Sequence, residues 1–318
     1  MMMKTDLIDQ YRMLPEGSRV LCAVSGGADS MCLLHWLRAL QEEYRFQLAA
    51  AHFEHGIRGE ESLRDAAFAE EQCRKLEVPF TLGKGDVPAF AAEKKIGTEE
   101  AARILRYRFL EETADRLGCD RIATAHNRND NAETMLMNLC RGAGTRGLAG
   151  IPPVRGRLIR PLLQTDRAEI EAWLRERNIP HVEDSSNQDE GNVRNRIRHH
   201  MLPMLEEMNP SVLAAFGRTA SLLRADEEYL SGLAEDFLRE NLKENRLPAK
   251  ALAKLEPVVA SRVLRLICGT GVSMERAKAL IAFAGGTERG VLELPGQKVR
   301  RQKGELIFEK YSPLSRLR

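Results

Sequence analysis

The chain has 318 residues, and this length suggests about two domains. Hydrophobic residues make up 43% of the chain and charged residues 30%, which is typical of a soluble globular protein. The net charge of +2 excludes a uniformly basic or acidic protein, and the six cysteines form no C-x-x-C pair that would indicate a zinc or disulfide framework. No run of about 18 apolar residues occurs, so we expect no membrane span and a cytoplasmic location.

The first 140 residues alternate short apolar runs with longer amphipathic runs. The apolar runs predict strands, at residues 19–25, 46–55, 79–84 and 121–127. The amphipathic runs predict helices, at residues 29–44, 59–78 and 98–118. This alternation predicts an α/β fold in which helices flank a parallel sheet and a ligand binds beyond the carboxyl ends of the strands.

The segment after residue 140 is rich in arginine. Residues 141–163 contain five arginines and no acidic residue. Residues 165–178 have the periodicity of a helix, and Thr165 is a suitable N-cap for it. Residues 183–195 are polar throughout and predict a loop.

The last third of the chain is predicted to be mainly helical. Residues 196–285 have helical periodicity throughout, and residues 291–310 predict a β-hairpin. We therefore expect an α/β domain at residues 1–205, which carries the ligand site. A mainly helical domain that ends in a short hairpin is expected at residues 206–318.

The first predicted strand ends in SGGADS, which leads directly into a helix. Gly26 and Gly27 let the backbone approach a phosphate group, and the helix start supplies free N–H groups and partial positive charge. Ser25 and Ser30 add hydroxyl groups. Asp29 would repel phosphate unless it binds Mg²⁺, and no lysine follows the glycines as in a Walker A loop. The alternative is an ordinary turn with Asp29 as the helix N-cap.

The segment AHNRNDNAET follows the last predicted strand and contains three side chains that could do chemistry. These are His126, Asp130 and Glu133. The two acids are three residues apart, so they share one face of a helix that begins near Asp130. The alternative is that an acid near the N-cap and the glutamate three positions later only cap the helix. Both interpretations stay open from the residues alone.

Two other pairs of residues have suggestive spacings. His52 and His55 lie at the end of a predicted strand, but no third zinc ligand accompanies them, so a zinc site is disfavoured. Arg103 and Arg106 lie one turn apart on a predicted helix and could clamp phosphate groups. Solvated surface arginines are the alternative for the second pair.

Basic residues concentrate in three segments. Residues 194–200, RNRIRHH, contain three arginines and two histidines. Residues 297–318 contain seven lysines and arginines against two glutamates, and residues 141–163 are the third segment. Together the three segments favour a polyanionic partner such as nucleic acid over solvated faces.

These segments together resemble a known family. SGGADS resembles the pyrophosphate loop of the PP-loop ATP-pyrophosphatase superfamily. From about residue 20 to residue 205, five further segments are similar in order and spacing to the tRNA(Ile)-lysidine synthetases: HFEHGIR, EEAARILRYRFL, TAHNRNDNAETMLMNLCRGAGTRGLAGI, IRPLL and EDSSNQDEGNVRNRIRHHMLPML. Two departures stand out: Asn129 replaces the first of two acids that the family commonly shows, and little more than a hairpin follows the helical region.

The resemblance implies a two-step reaction on the wobble cytidine of a tRNA(Ile) with a CAU anticodon. The cytosine O2 first attacks the α-phosphate of ATP, which releases pyrophosphate and leaves an adenylated base. The ε-amine of free L-lysine then attacks C2 and displaces AMP, which gives lysidine. The cofactors are ATP and Mg²⁺, and the oligomeric state stays open, with a homodimer as one option.

The resemblance also implies a role for each candidate residue. The expected catalytic residues are Asp29, which binds Mg²⁺, Arg106 and Asp130. The expected ATP-binding residues are Ser25, Gly26, Gly27, Ala28, Asp29, Ser30, Arg103 and Arg106. The expected lysine-binding residues are His126, Asp130 and Glu133. The expected tRNA-binding residues are Arg141, Arg146, Arg194, Arg196, Arg198 and His199.

Other functions fit the sequence less well. A PP-loop tRNA thiolase uses paired cysteines, and this sequence has no C-x-x-C. An amidotransferase-type member such as a GMP synthetase needs an ammonia supply, and no glutaminase half is recognisable. A non-enzymatic module that senses ATP leaves the arginine-rich segments and the helical second half without a purpose.

Overall fold

A computed structural model describes residues 3–56, 59–182, 193–269, 273–286, 290–294 and 296–310. The chain divides into two compact units, Met1–Ser221 and Leu222–Arg318. The boundary expected after residue 205 stays a prediction. Most of the polar segment 183–195 lies outside the described residues, and within it only the last three positions are described, where a short helix starts.

The first unit is built on a six-stranded sheet. Its strands, β1 to β6, are Arg19–Ala23, Gln47–Glu54, Phe80–Lys84, Arg121–Ala123, Val154–Arg155 and Leu158–Ile159. Their order across the sheet is β3-β2-β1-β4-β6-β5. All neighbours are parallel except the β5–β6 pair at the edge, which is antiparallel. The predicted parallel sheet and α/β class are therefore confirmed, and the edge hairpin is an addition to the prediction.

Helices cover both faces of this sheet. In chain order, the helices of the first unit, α1 to α10, are Asp6–Gln10, Ala28–Tyr44, Glu60–Lys75, Val87–Lys94, Thr98–Leu117, Arg128–Cys140, Thr145–Leu148, Arg167–Glu176, Val193–Arg196 and Leu202–Met208. The next helix, α11, is Val212–Asn241 and contains residues of both units. The side chains of β1 alternate between the two faces, as a strand requires. Val20 and Cys22 pack in the core that includes α2 and α8, whereas Leu21 packs with Leu110 of α5. The sheet is thus buried on both sides, as parallel sheets are.

The start of α8 differs from the prediction. The N-cap is Asp166 and not Thr165. Asp166 accepts the backbone N–H of Glu169, and Glu169 accepts the backbone N–H of Asp166, at 2.9 Å each. This reciprocal capping box satisfies two backbone donors, whereas a threonine cap at residue 165 would satisfy one.

The second unit contains helices and a small antiparallel sheet. Its helices α12 to α14 are Ala249–Leu252, Pro257–Cys268 and Met274–Gly285. Its strands β7 to β10 are Arg246–Pro248, Gly290–Leu294, Gln297–Gln302 and Glu305–Lys310, in the order β7-β10-β9-β8. The expected hairpin is therefore part of a four-stranded sheet, and β7 interrupts the stretch that we expected to be helical throughout. Leu247 of β7 is fully buried with Leu264 and Val299, so core packing holds the strand there.

No helix in the described part of the chain is long and apolar enough to cross a membrane. Four of the six cysteines, Cys22, Cys32, Cys73 and Cys119, are buried as free thiols. Burial raises the pKa of each of these thiols. They pack as small apolar side chains, as expected.

Candidate functional site

The loop between β1 and α2 is shaped by one serine. The Ser30 hydroxyl accepts the backbone N–H groups of Ser25 and Gly26 at 3.1 Å each and donates to the Gly27 carbonyl at 2.9 Å. Gly26 has a φ of +92°, a conformation that other residues rarely adopt. Gly27 is the N-cap of α2 and makes no side-chain cap. The first N–H groups of this helix therefore face the end of the strand, where an anion binds well.

Asp29 is the second residue of α2 and not its N-cap, so the capping alternative is wrong. Its Oδ1 atom is buried and has no hydrogen-bond partner among the described residues. Burial raises the pKa of this carboxyl, and the nearby Asp130 raises it further, while Arg167 has the opposite effect. A buried carboxylate oxygen with no hydrogen-bond donor is a suitable ligand for a hard cation.

The described residues contain no group of three or more His, Cys, Asp or Glu side chains that could hold a metal ion. His52, one of the two histidines considered for zinc, is buried, and its Nδ1 lies 2.8 Å from the Val24 carbonyl just before the phosphate loop. A cation at Asp29 therefore needs ligands from a bound substrate. Mg²⁺ fits this arrangement because it is usually held by one or two carboxylates together with phosphate oxygens and water.

Asp130 serves two purposes at the start of α6. Its Oδ2 accepts the backbone N–H of Asn127, and its own N–H donates to Asn127 Oδ1, both at 3.0 Å. This is the capping box, and it begins one turn earlier than the alternative that we considered. The other oxygen, Oδ1, lies 3.4 Å from Arg198 Nη2 at the wall of a cavity. Capping thus fixes the carboxyl through Oδ2, and Oδ1 contacts Arg198.

Glu133 lies one turn further along α6 and is fully buried. Arg198 Nε lies 2.6 Å from Glu133 Oε1, and Arg194 Nε lies 3.2 Å from Glu133 Oε2. Burial raises the pKa of the Glu133 carboxyl, and the hydrogen bond from Arg198 lowers it. Glu133 is therefore committed to two guanidinium groups and does not line the cavity, contrary to its expected contact with lysine.

The basic segment RNRIRHH divides into an inner and an outer face. Arg194 and Arg198 point inward to Glu133, whereas Arg196 and His199 are exposed. The segment passes from α9 into a π-helical stretch, Ile197–Met201, whose wider turn is often found at functional sites. Arg194 and Arg198 are both partly buried and contact Glu133, so their expected contact with tRNA stays a prediction.

A cavity of about 410 Å³ opens beside the phosphate loop at the carboxyl ends of β1, β2 and β4. Six of the residues predicted to bind ATP or lysine line it: Ser25, Asp29, Ser30, Arg106, His126 and Asp130. Side chains without a predicted role there also line it: Phe53, His55, Tyr107, Thr124, Arg194 and Arg198. Arg103 stacks on the Tyr107 ring outside this cavity, with 4.9 Å between its guanidinium carbon and the ring centroid. The site therefore lies where the strand order predicts it.

Several guanidinium groups surround His126. Burial holds the pKa of this imidazole well below its usual range, and the charges of Arg160 and Arg106 lower it further. Its Nδ1 lies 3.0 Å from the Thr124 hydroxyl. Arg160 is almost fully buried and donates to the Pro152 carbonyl at 2.6 Å. Sequence reasoning gave Arg160 no role, although it lies in the quoted segment IRPLL.

A second cavity, of about 680 Å³, lies against the same loop. It shares Ser25, Asp29, Ser30 and Arg198 with the first cavity. Its other walls come from the start of α2 and from one face of α8 and the residues after it: Gly27, Ala28, Arg167, Glu171, Leu174, Arg175, Asn178, Ile179, His181 and Val182. The helix α8 was predicted without a site on it, because nothing in its local sequence indicates that it packs against the phosphate loop.

The glycine-rich segment after α6 is bound closely to that helix. Asn138 Nδ2 donates to the Gly147 carbonyl at 2.8 Å, and Asn131 Oδ1 accepts the Ile151 N–H at 2.7 Å. A Cβ atom at Gly150 would overlap Asn131 Oδ1, so only glycine fits there. Two of the expected tRNA-binding residues, Arg141 and Arg146, are exposed on this segment.

Comparisons with known proteins identify the family of this chain. The family model of the ATP-binding PP-loop domain matches residues 3–205. A tRNA(Ile)-lysidine synthase from Geobacillus kaustophilus is 36% identical over 95% of this chain and 68% of its own length. The corresponding enzyme from Solibacter usitatus is 39% identical over 91% of this chain and 67% of its own length.

This chain covers a smaller share of other relatives. The tRNA(Ile)-lysidine synthase from Caldanaerobacter subterraneus is 36% identical over 81% of this chain but only 56% of its own length. The chain thus spans about half to two thirds of the curated relatives that it matches. Among solved structures, the U34-tRNA thiolase NcsA from Methanococcus maripaludis superposes with a TM-score of 0.57 at 19% identity, over 67% of this chain and 74% of that one, which supports the fold. The extent and identity of these matches place the chain in the tRNA(Ile)-lysidine synthase family, with an ATP-binding PP-loop domain at residues 3–205.

Proposed function

We propose that this chain joins free L-lysine to C2 of the wobble cytidine in a tRNA(Ile) with a CAU anticodon. ATP is converted to AMP and pyrophosphate, and the product, lysidine, pairs with A instead of G. The observation that carries the proposal is the position of Asp29. Its buried oxygen lies at the phosphate loop, beside an arginine-lined cavity that also contains Asp130. Family membership supports the same reaction.

The first step adenylates the base. The cytosine O2 forms a bond to the α-phosphorus of ATP, and the bond from that phosphorus to the β-phosphate oxygen breaks, so pyrophosphate leaves with the electron pair. The backbone N–H groups at the start of α2 hold the phosphates. Arg106, which is half-buried in the cavity wall, stabilises the negative charge that develops. Asp29 would hold Mg²⁺, which supplies further charge neutralisation on the phosphates.

The second step needs a neutral amine. A lysine ε-amine with a pKa of about 10.4 is neutral in about one molecule of 2,500 at pH 7. We assign the proton acceptor to Asp130, because this residue lines the cavity and its Oδ1, which contacts Arg198 at 3.4 Å, is not used by the capping box. The amine forms a bond to C2, and the bond from the base oxygen to carbon breaks as AMP leaves.

Two expected lysine contacts have other roles in this proposal. Glu133 positions Arg198 and Arg194, since both of its oxygens are bound to them. His126 is held neutral by burial and by the surrounding arginines, which lower its pKa, so it acts as a hydrogen-bonding group without charge. We assign Arg198, which lines both cavities, to the phosphates of ATP. Arg103, which stacks on Tyr107, keeps its predicted role in ATP binding.

The anticodon stem-loop would contact the exposed basic residues. Arg141, Arg146, Arg196 and His199 present their side chains to solvent in the first unit. Arginine and histidine at such positions bind phosphate groups and do not need base stacking. We place the enzyme in the cytoplasm because its tRNA substrate is used there, and a homodimer stays one option.

The experiment that tests this function uses the full chain with ATP, Mg²⁺, radiolabelled L-lysine and a tRNA(Ile) transcript with a CAU anticodon. We expect lysidine in the digested tRNA, together with one AMP and one pyrophosphate for each lysine incorporated. The control is the same transcript with uridine at the wobble position, because uracil lacks the 4-amino group that donates electron density to O2 of cytosine and makes that oxygen nucleophilic. ADP as the product, or ATP turnover without tRNA, would contradict the proposal and favour another adenylating or ATP-using PP-loop enzyme.

A further inference from the structure

The second cavity contains more positive than negative side chains. Arg167, Arg175 and Arg198 line it, against the two acids Asp29 and Glu171. It is also faced by the first residues of α2, where the helix N-terminus adds partial positive charge. An anion is therefore the ligand that this space favours, and a helix end combined with arginines is the usual protein site for phosphate groups.

The two cavities share four lining residues at the phosphate loop and beside it. Ser25, Asp29 and Ser30 of the phosphate loop line both, as does Arg198. A triphosphate that crosses these shared residues has its nucleoside in one cavity and its terminal phosphates in the other. The first cavity has apolar walls, including Phe53 and Leu110, that suit a nucleoside. The second cavity, with the start of α2, suits the β- and γ-phosphates.

Two side chains on the outer wall of the second cavity are available to a ligand. Arg175 and His181 make no side-chain hydrogen bond or ion pair with any described residue, and both are exposed at the cavity. Arg167 is different, because its Nε is already bound to Glu171 at 2.9 Å. The backbone of α8 is held in place, since the Arg167 N–H donates to Asn129 Oδ1 at 3.0 Å.

We propose that Arg175 and His181 form a subsite for the pyrophosphate product, through which it leaves the loop on the side away from the nucleoside. When the bond between the α-phosphorus and the β-phosphate oxygen breaks, the product carries additional negative charge. Arg175 and His181 bind it as it moves from the helix N-terminus towards solvent. This inference rests on the proposed function for the origin of the pyrophosphate, but the binding itself does not need tRNA.

Free lysine is the main competing occupant. Its two ammonium groups and one carboxylate give it a net charge of +1 at neutral pH, which the excess of arginines in this cavity disfavours. Pyrophosphate carries several negative charges, which complement the positive charge of the arginines in the cavity wall. If pyrophosphate occupies the cavity, Arg175→Ala weakens pyrophosphate binding. If lysine occupies it, the same substitution raises the KM for lysine.

The test compares Arg175→Ala and His181→Ala with Arg177→Ala in the full chain. Arg177 is on the same stretch of chain but stacks on Trp173, 4.5 Å from its guanidinium carbon to the ring centroid, and does not line the cavity. Binding of inorganic pyrophosphate and of AMP is measured separately by calorimetry with Mg²⁺. We expect Arg175→Ala to weaken pyrophosphate binding about tenfold, as loss of one charge-assisted contact does, and to leave AMP binding unchanged. Arg175→Lys should restore part of the affinity.

Two other results of this experiment would overturn the pyrophosphate subsite. Equal weakening of pyrophosphate and AMP, or no weakening of either, would overturn the subsite. A higher KM for lysine with unchanged pyrophosphate binding would assign the cavity to lysine and overturn it too. A chain that binds pyrophosphate through Arg175 but forms no lysidine would contradict the proposed function and leave this inference standing.

Discussion

Arg198 Nε lies 2.6 Å from Glu133 Oε1, although the two residues are 65 positions apart in the chain. The carboxylate is fully buried and also contacts Arg194. The pair fixes Arg198 at the point where the two cavities meet. The buried Glu133 carboxylate therefore determines the position of the Arg198 guanidinium group.

Glu133→Ala should destabilise the first unit and misplace Arg198. We expect a loss of about 3 kcal/mol in the free energy of unfolding, because the substitution removes the carboxylate between two partly buried guanidinium groups. Urea denaturation measures this. Glu171→Ala is the control, since its ion pair with Arg167 is about 40% exposed and should contribute less than about 1 kcal/mol. Similar losses of unfolding free energy in both variants would show that the buried Glu133 contributes no more to stability than an exposed ion pair does.

Asp29→Asn should stabilise the protein and abolish adenylation. Burial and Asp130 raise the pKa of the Asp29 carboxyl in the folded state, so the ionised form is disfavoured by folding. The cost is present above the folded-state pKa and disappears below the ordinary value of about 3.9. At pH 7.5 we expect an unfolding midpoint about 2–4 °C higher, the shift for about 1 kcal/mol in a domain of this size.

The same variant tests the metal. Mg²⁺ added with ATP should raise the melting temperature of the unchanged protein more than ATP alone does, and this difference should vanish in Asp29→Asn. An Mg²⁺ effect of the same size in both proteins would show that the carboxylate does not hold the ion.

His126→Asn should flatten the acid side of the stability profile. The folded protein holds the pKa of His126 well below its usual range, whereas the unfolded chain takes up a proton near pH 6.5. Stability therefore falls as the pH drops below about 6.5, by up to about 1.4 kcal/mol for each pH unit. Urea denaturation between pH 8 and pH 5 should show a smaller slope for the variant. Burial also lowers the pKa of His52 and His35, which contribute the slope that remains.

Arg106→Ala should reduce pyrophosphate release by about 100- to 1000-fold, the usual effect of removing one group that stabilises transition-state charge. Arg108→Ala is the matched control on the same helix, because Arg108 is exposed and lies over the Phe90 ring, 5.4 Å from its centroid. Single-turnover assays with saturating tRNA separate this effect from binding. An equal loss in the two variants would remove Arg106 from the adenylation step.

Asn129→Ala should loosen α8, whereas Asn129→Asp should not. Asn129 Oδ1 accepts the Arg167 N–H at the start of that helix. Loss of this acceptor should cost about 1 kcal/mol, and a carboxylate at the same place would also complement the helix N-terminus. The relevant readouts are the unfolding free energy and pyrophosphate affinity. Asn129, which replaces the first of the family's two acids, thus makes a contact with the start of α8 that an aspartate could also make.

Local patterns in the sequence were sufficient for much of the fold. The alternation of apolar and amphipathic runs determined β1 to β4 and helices α2, α3 and α5, because strand and helix periodicities are local properties. SGGADS determined the phosphate loop, since two glycines and a helix start need no distant partner. The predicted cap of α8, Thr165, was wrong, because Asp166 forms the capping box with Glu169 and also gains an ion pair with Arg128 at 3.0 Å.

The roles of the charged residues were decided only by the tertiary structure. Nothing near Glu133 or Arg198 in the sequence indicates that they meet, because the packing of α6 against α9 and the π-helical stretch brings them together. The second cavity arises in the same way, from the packing of α8 on α2. A charge pattern specifies that a residue can bind an anion or a cation, but its partner is determined by which helices share a buried face.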